Sequence, residues 1–149
     1  MKSVAADSGP LLALFNRADT WNQPVLAWLA ANPQARLLTT WPVATEVCAL
    51  LARRVGEPAA IDFLRWIERG GVTLDLPAPA SFHNVLAITQ RYRDLPFDFA
   101  DASVAELAAR HGLTDVLTLD SDFDVVRDGR GQALRNVLRL RPIVRGKPK

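Results

Sequence analysis

Short β-prone runs alternate with longer helical stretches along the whole chain, and that order leaves few architectures open to it. Ser3 to Ala6, Arg36 to Thr40, Val72 to Leu76, Val116 to Leu119 and Asn136 to Leu140 read as strands, each a brief apolar or β-branched run bounded by turn residues. Ser8-Gly9-Pro10 supplies a cap and a first-turn proline for a helix at Leu11 to Phe15. Trp21, Val25, Trp28 and Leu29 recur at helical spacing until Asn32-Pro33. Pro42 opens a helix through Arg54 with the stripe Val43, Val47, Leu50 and Leu51, and Pro58 opens another that ends at Gly70-Gly71. Pro79 to Tyr92 is helical through Phe82, Val85, Leu86 and Ile88, and Asp94-Leu95-Pro96 precedes a last helix with Val104, Leu107, Ala108 and His111, closed by Gly112. Strands separated by helices must pair in parallel, so the expected fold is α/β, with a parallel sheet covered on both faces and ligands bound at the carboxyl ends of its strands. With 149 residues, 49% of them hydrophobic, the chain suits one domain with a substantial core.

Four acids occupy conspicuous places in this pattern. Asp7 and Asp120 stand at the carboxyl ends of predicted strands; Glu46 and Asp101 lie on the apolar stripes of the helices after Pro42 and after Pro96. Each also has an ordinary structural explanation. Asp98 and Asp101 match a capping box, Asp7 is placed to cap the first helix, and Asp120-Ser121-Asp122 has the form of an Asx turn, whereas no capping role is available to Glu46. Together at one sheet edge, four carboxylates would repel one another and raise their own pKa values, a conflict that a hard divalent cation with oxygen ligands resolves. The chemistry such a site supports is metal-assisted hydrolysis of a phosphodiester, which requires no protein nucleophile. His83 and His111 read as structural residues, and Ser8 and Thr118 flank the acids as candidate orienting groups.

Charge is divided along the chain. From Arg127 to Lys149 there are eight basic residues against Asp128 alone, although the whole chain carries only +2. A basic end beside an acidic pocket suits a polyanionic substrate, and Arg127, Arg130 and Arg135 are the candidate RNA-contacting residues. The single cysteine, Cys48, excludes an internal disulfide and a cysteine-type zinc site, and is expected as buried filler. The opening Met1-Lys2-Ser3-Val4-Ala5-Ala6-Asp7 has no signal-peptide character and no run approaches a membrane span, so a cytoplasmic location is expected.

Val4-Ala5-Ala6-Asp7-Ser8-Gly9-Pro10-Leu11, Thr45-Glu46-Val47, Asp98-Phe99-Ala100-Asp101-Ala102-Ser103 and Leu117-Thr118-Leu119-Asp120-Ser121-Asp122-Phe123 together resemble a PIN domain, and more narrowly the VapC-like toxins of type II toxin–antitoxin pairs. The resemblance implies an α/β/α sandwich with a central parallel sheet of four to five strands. It also implies a Mg²⁺-dependent endoribonuclease, Mn²⁺ being the alternative ion, with Asp7, Glu46, Asp101 and Asp120 as catalytic and metal-binding residues and Asp98 and Asp122 as accessory acids. Its implied partners are RNA, a cognate antitoxin seated in a groove near the site, and a second copy of the chain, with Trp21, Trp28, Trp41 and Trp66 as candidate contributors to those surfaces. On this reading residues 1–141 are the nuclease domain and 142–149 a basic tail.

Other readings compete. Asp120-Ser121-Asp122 after a strand suits a haloacid-dehalogenase-type phosphotransferase, but too little chain follows to supply its later ligands. A receiver domain would need paired acids after the first strand and a lysine after the last. A non-catalytic interaction module, its acids serving as helix caps, is the main alternative.

Overall fold

In the computed structural model, residues 2–139 are described. Five strands, β1 (Ser3–Ala6), β2 (Arg36–Thr39), β3 (Thr73–Leu74), β4 (Asp115–Leu117) and β5 (Arg135–Asn136), form one sheet in the order β3-β2-β1-β4-β5. Every pairing is parallel, with Ala5 opposite both Leu38 and Val116. Six helices connect them: α1 (Ser8–Leu14), α2 (Asn22–Ala31), α3 (Trp41–Arg54), α4 (Glu57–Glu68), α5 (Ser81–Arg91) and α6 (Phe99–His111). Because β1 lies at the centre, its short run Val4-Ala5-Ala6 is fully buried, as a central parallel strand requires. The adjoining core draws on Leu11 of α1, Val43, Val47 and Leu51 of α3, and Val104 and Leu107 of α6.

Local chemistry sets the ends of the elements. Thr40 caps α3 by accepting the Val43 amide at 3.2 Å, and Gly112 ends α6 in the left-handed conformation at φ 66° that a side chain would resist. Several strands are shorter than the sequence suggests. The final strand covers only Arg135 and Asn136, because Asn136 turns its side chain onto the chain itself: Nδ2 donates to the Thr118 carbonyl and Oδ1 accepts the Leu138 amide, which bends residues 137–139 into a 3₁₀ turn. β4 stops at Leu117 for a similar reason, since the Thr118 hydroxyl accepts the amide of Asp120. Leu140 and the 142–149 tail, with the domain boundary placed between 141 and 142, lie outside the described residues.

Some packing expectations are corrected. Of the apolar residues at helical spacing in α5, Val85 is buried and Ile88 half-buried against the core, whereas Phe82 and Leu86 are exposed. Cys48 is only half-buried and lines a shallow groove between α3 and α4. Among the tryptophans, Trp28 and Trp66 pack against the core, whereas Trp21 and Trp41 are exposed. Among the described residues no helix is long and apolar enough to cross a membrane.

Candidate active site

The carboxyl edge of the sheet gathers the four predicted acids from four separate stretches of chain. Asp7 follows β1 directly, and its side chain is only 3% exposed although it sits at the cap position of α1. It makes no capping bond there. Instead Oδ2 accepts a 2.8 Å hydrogen bond from the Thr118 hydroxyl, while Oδ1 is buried without any hydrogen-bond partner. Burial pushes the Asp7 carboxyl up to about 6 against the opposing effects of the Thr118 hydroxyl and the Ser8 amide, and the nearby charges of Asp120 and Glu46 push it the same way as burial.

The other acids are arranged around Asp7. Glu46, in the second turn of α3, is half-buried and raised by burial and then by the charge of Asp98, with the Ser8 side chain as partial offset. Asp101 is raised to about 7 by burial, against the Asp98 amide and with the charges of Asp7 and Asp98 adding to the rise. Asp122, on the periphery, is raised by desolvation and by Asp120. Asp7 is thus the carboxylate whose field reaches three of the predicted partners, Asp101, Asp120 and Glu46.

The structural roles foreseen for two of these acids are also present. Asp98 Oδ1 accepts the Asp101 amide at 2.9 Å and Asp101 Oδ2 accepts the Asp98 amide at 3.0 Å, a complete capping box. Asp120 Oδ1 accepts the Asp122 amide at 2.8 Å, an Asx turn that starts a 3₁₀ turn over Ser121–Asp124. Among the described residues, no three His, Cys, Asp or Glu side chains stand together as a ready-made coordination set. The donor chemistry nevertheless fits a hard cation: the acids are all oxygen donors, and Asp7 holds an unpartnered buried oxygen at their centre.

Three features that hold the acids together escaped the sequence reading. Phe97, the residue before Asp98, packs against Phe123, the residue after Asp122, with ring centroids 5.1 Å apart and both rings buried. That apolar pair ties the start of α6 to the turn after β4, opposing the repulsion between their carboxylates. Gly9 lies under Leu119, where a Cβ would come within 3.2 Å of Leu119 Cδ1, so the loop carrying Asp120 settles closely on the first turn of α1. The Thr40 and Ser103 hydroxyls, 2.7 Å apart, pin the start of α3 to α6. Phe97, Phe123 and Leu119 each adjoin an acid in the sequence, whereas nothing local marked Gly9, Thr40 or Ser103 for these contacts.

The predicted basic residues separate. Arg135 sits at the amino edge of the sheet, where its guanidinium grips Asp115 through two bonds of 2.8 and 2.9 Å and Lys2 Nζ adds a third contact at 3.2 Å. Arg127 and Arg130 are exposed on the turn near residues 127–133, their amides donating to the Tyr92 hydroxyl and to Asp128. His111 bonds Asp75 at 2.7 Å beside Arg110, consistent with a structural role, and His83 is exposed.

Comparison with known proteins adds to this geometry. The structure is similar to VapC20 of Mycobacterium tuberculosis, a toxin that cleaves the sarcin-ricin loop, with a TM-score of 0.76 and 20% identity over 82% of this chain and 93% of that one. It is also similar to VapBC2 from Rickettsia felis, bound to a DNA fragment from its promoter, with a TM-score of 0.65 and 11% identity over 90% and 98% of the two chains. A third similarity is to FitAcB from Neisseria gonorrhoeae, with a TM-score of 0.52 and 18% identity over 79% and 88%. At these identities the likeness is one of fold. A comparison with curated protein sequences found no match. Residues 4–129 match the model of the PIN domain, a span that runs from the central strand through all four acids, and the chain therefore belongs to the PIN-domain family.

Proposed function

We propose that the chain is a metal-dependent endoribonuclease, the toxin of a type II toxin–antitoxin pair, with Asp7, Glu46, Asp101 and Asp120 as its metal-binding and catalytic acids. The observation that carries this reading is the Asp7 carboxylate: buried at the end of the central strand, with like charge nearby, and with one oxygen that accepts no well-formed hydrogen bond, the Ser8 amide offsetting its burial only in part. A carboxylate that served only packing would be replaced at lower cost by a neutral side chain. Mg²⁺, with Mn²⁺ as an alternative, is the proposed ion; when bound it polarises a phosphodiester and acidifies water.

The chain's own residues prepare the site. Thr118 holds Asp7 Oδ2 in a fixed orientation while accepting the Asp120 amide, so one hydroxyl positions two of the acids. The capping box keeps Asp101 at the mouth of the site by fixing the first turn of α6. Asp98 and Asp122 raise the local negative field and stand as accessory acids. Ser8 acts on Glu46 and reinforces its placement. The similarity to VapC20 and to the VapBC2 and FitAcB structures supports the toxin assignment and an antitoxin partner, and a homodimer completes the same proposal.

The test is cleavage of RNA by the purified chain with Mg²⁺ or Mn²⁺, stopped by EDTA and absent in Asp7→Asn, with calorimetric titration of Mn²⁺ as a second readout. Retained cleavage in EDTA, or Mn²⁺ binding that is equal in wild type and Asp7→Asn, would overturn it. Loss of folding in Asp7→Asn would favour the non-catalytic alternative.

A further inference from the structure

Beside the acid cluster, the first turns of α3, α5 and α6 enclose a cavity of about 160 Å³. Three aromatic side chains stand at its mouth with their faces open to solvent: Trp41 is 55% exposed, Phe82 69% and Phe99 53%. Phe82 and Phe99 meet edge to face at 6.4 Å. Such rings are costly to leave in water, and α5 turns Phe82 outward although its sequence pattern suits burial.

The interior is rigid and chemically closed. Ser103 Oγ donates to the Ala100 carbonyl at 2.6 Å, so Thr40 Oγ1 donates to Ser103. Glu106 accepts from Ser81 Oγ at 2.9 Å and from Arg110 Nε at 2.9 Å, and Arg110 pairs onward with Asp75. With these polar groups bonded to one another, what the cavity offers a guest is apolar and aromatic contact.

Size decides what the guest is. An apolar cavity of roughly 150 Å³ holds one benzene-sized ring, whereas a helix with its side chains is about 10 Å across. The space therefore suits a single flat ring. Position supplies its identity: Phe99 lies between Asp98 and Asp101 in the chain, and Trp41 begins the helix that carries Glu46, so the mouth and the acids share the same two helix starts. One sugar separates a base from its phosphate, so a phosphate held at the acids would carry an adjacent base toward this opening, although none of the four acids lines the cavity itself. We infer that the cavity is a stacking pocket for one unpaired nucleobase flanking the scissile phosphate of single-stranded RNA, an inference that rests on the ribonuclease reading and names its substrate class. Because the polar interior is already bonded, the pocket selects for an unstacked base with little preference among the four.

The test uses a short single-stranded RNA with one 5-iodouridine placed in turn at each position, irradiated with the Asp7→Asn chain and mapped by mass spectrometry. Crosslinks are expected on Trp41, Phe82 or Phe99 from one position only. In the active chain, Phe82→Ala and Phe99→Ala, both at exposed positions, are expected to raise KM about ten-fold, the loss of one stacked base. An abasic nucleotide at the crosslinking position should reproduce that loss in wild type and add nothing to Phe99→Ala. Crosslinks confined to other residues, or equal KM for abasic and intact RNA, overturn the pocket while leaving the ribonuclease reading intact. A dimer that Phe82→Glu dissociates with no change in KM overturns it in favour of a second copy. A wild-type chain that cleaves no RNA overturns the ribonuclease reading, and the crosslinking arm, which requires no turnover, still decides the pocket.

Discussion

Two aspartates at the ends of central strands, on opposite edges of the sheet, are treated in opposite ways. At the amino edge, Asp115 begins β4 beside the chain's own cations, and the bonds from Arg135 and Lys2 outweigh its burial and hold its carboxyl below the ordinary range. At the carboxyl edge, Asp7 follows β1 among other acids and is pushed up to about 6. Asp75 also stands at the carboxyl edge, directly after β3, yet with Arg110 and His111 bonded to it, it behaves like Asp115 and is lowered. Burial opposes ionisation at all three positions. What differs is the company: the fold answers its carboxylates with arginine in two places and with more carboxylate in a third, and it is at that third place that the proposed cation would bind.

The largest effects should come from breaking the carboxyl edge. Asp7→Asn is expected to abolish RNA cleavage with the fold retained, checked by a cleavage assay alongside circular dichroism. Thr118→Val removes only the hydroxyl that orients Asp7 and should cost about 10- to 100-fold in activity or Mn²⁺ affinity, the range for a residue that positions a ligand. Metal should sharpen the contrast through stability: Mg²⁺ at about 100 times its Kd should add about 2.7 kcal/mol to wild type and nothing to Asp7→Asn, measured by urea denaturation.

Smaller effects should carry opposite signs at the two edges. Without metal at pH 7.5, Asp7→Asn should gain about 1 to 3 kcal/mol, since it removes a charge that the fold holds at a disadvantage. Asp115→Asn should lose about 1 to 3 kcal/mol by stripping Arg135 and Lys2 of their partner. The pH dependence follows from the same signs. A carboxyl raised from 3.8 to about 6 binds more protons folded than unfolded, so the metal-free chain should lose stability as pH rises from about 4 to about 7. Asp7→Asn should flatten that slope. Asp115 and Asp75, both lowered, contribute in the other direction and only as pH falls below about 4, their ordinary range. The smallest expected effect concerns the arginines: Arg130→Ala should reduce the salt slope of RNA binding by about one, while Arg135→Ala should alter stability and leave that slope unchanged.

Much of the fold was readable before any coordinates. The alternation of strands and helices predicted the parallel sheet, Pro42 and Gly112 marked helix ends closely, and Asp98 with Asp101 announced their capping box. Errors arose where a side chain competed with the backbone pattern. Asn136 and Thr118 ended strands early by bonding nearby main-chain groups, which apolar periodicity does not register. Phe82 and Leu86 matched a helical stripe yet face solvent, because periodicity reports that one face is apolar but not whether a neighbour covers it.

The candidate site divides along the same line. By itself the sequence determined that carboxylates would follow β1 and open α6 and that the terminal segment would be basic, since these depend on residue type and local spacing. Tertiary structure alone decided which acid would be central, that Asp120 would spend an oxygen on the Asp122 amide, and that Arg135 would serve Asp115 rather than face the site. The physical reason is that ionisation and hydrogen bonding answer to distances of a few ångströms between residues as far apart as Asp7 and Thr118, and those distances exist only once the strands have paired.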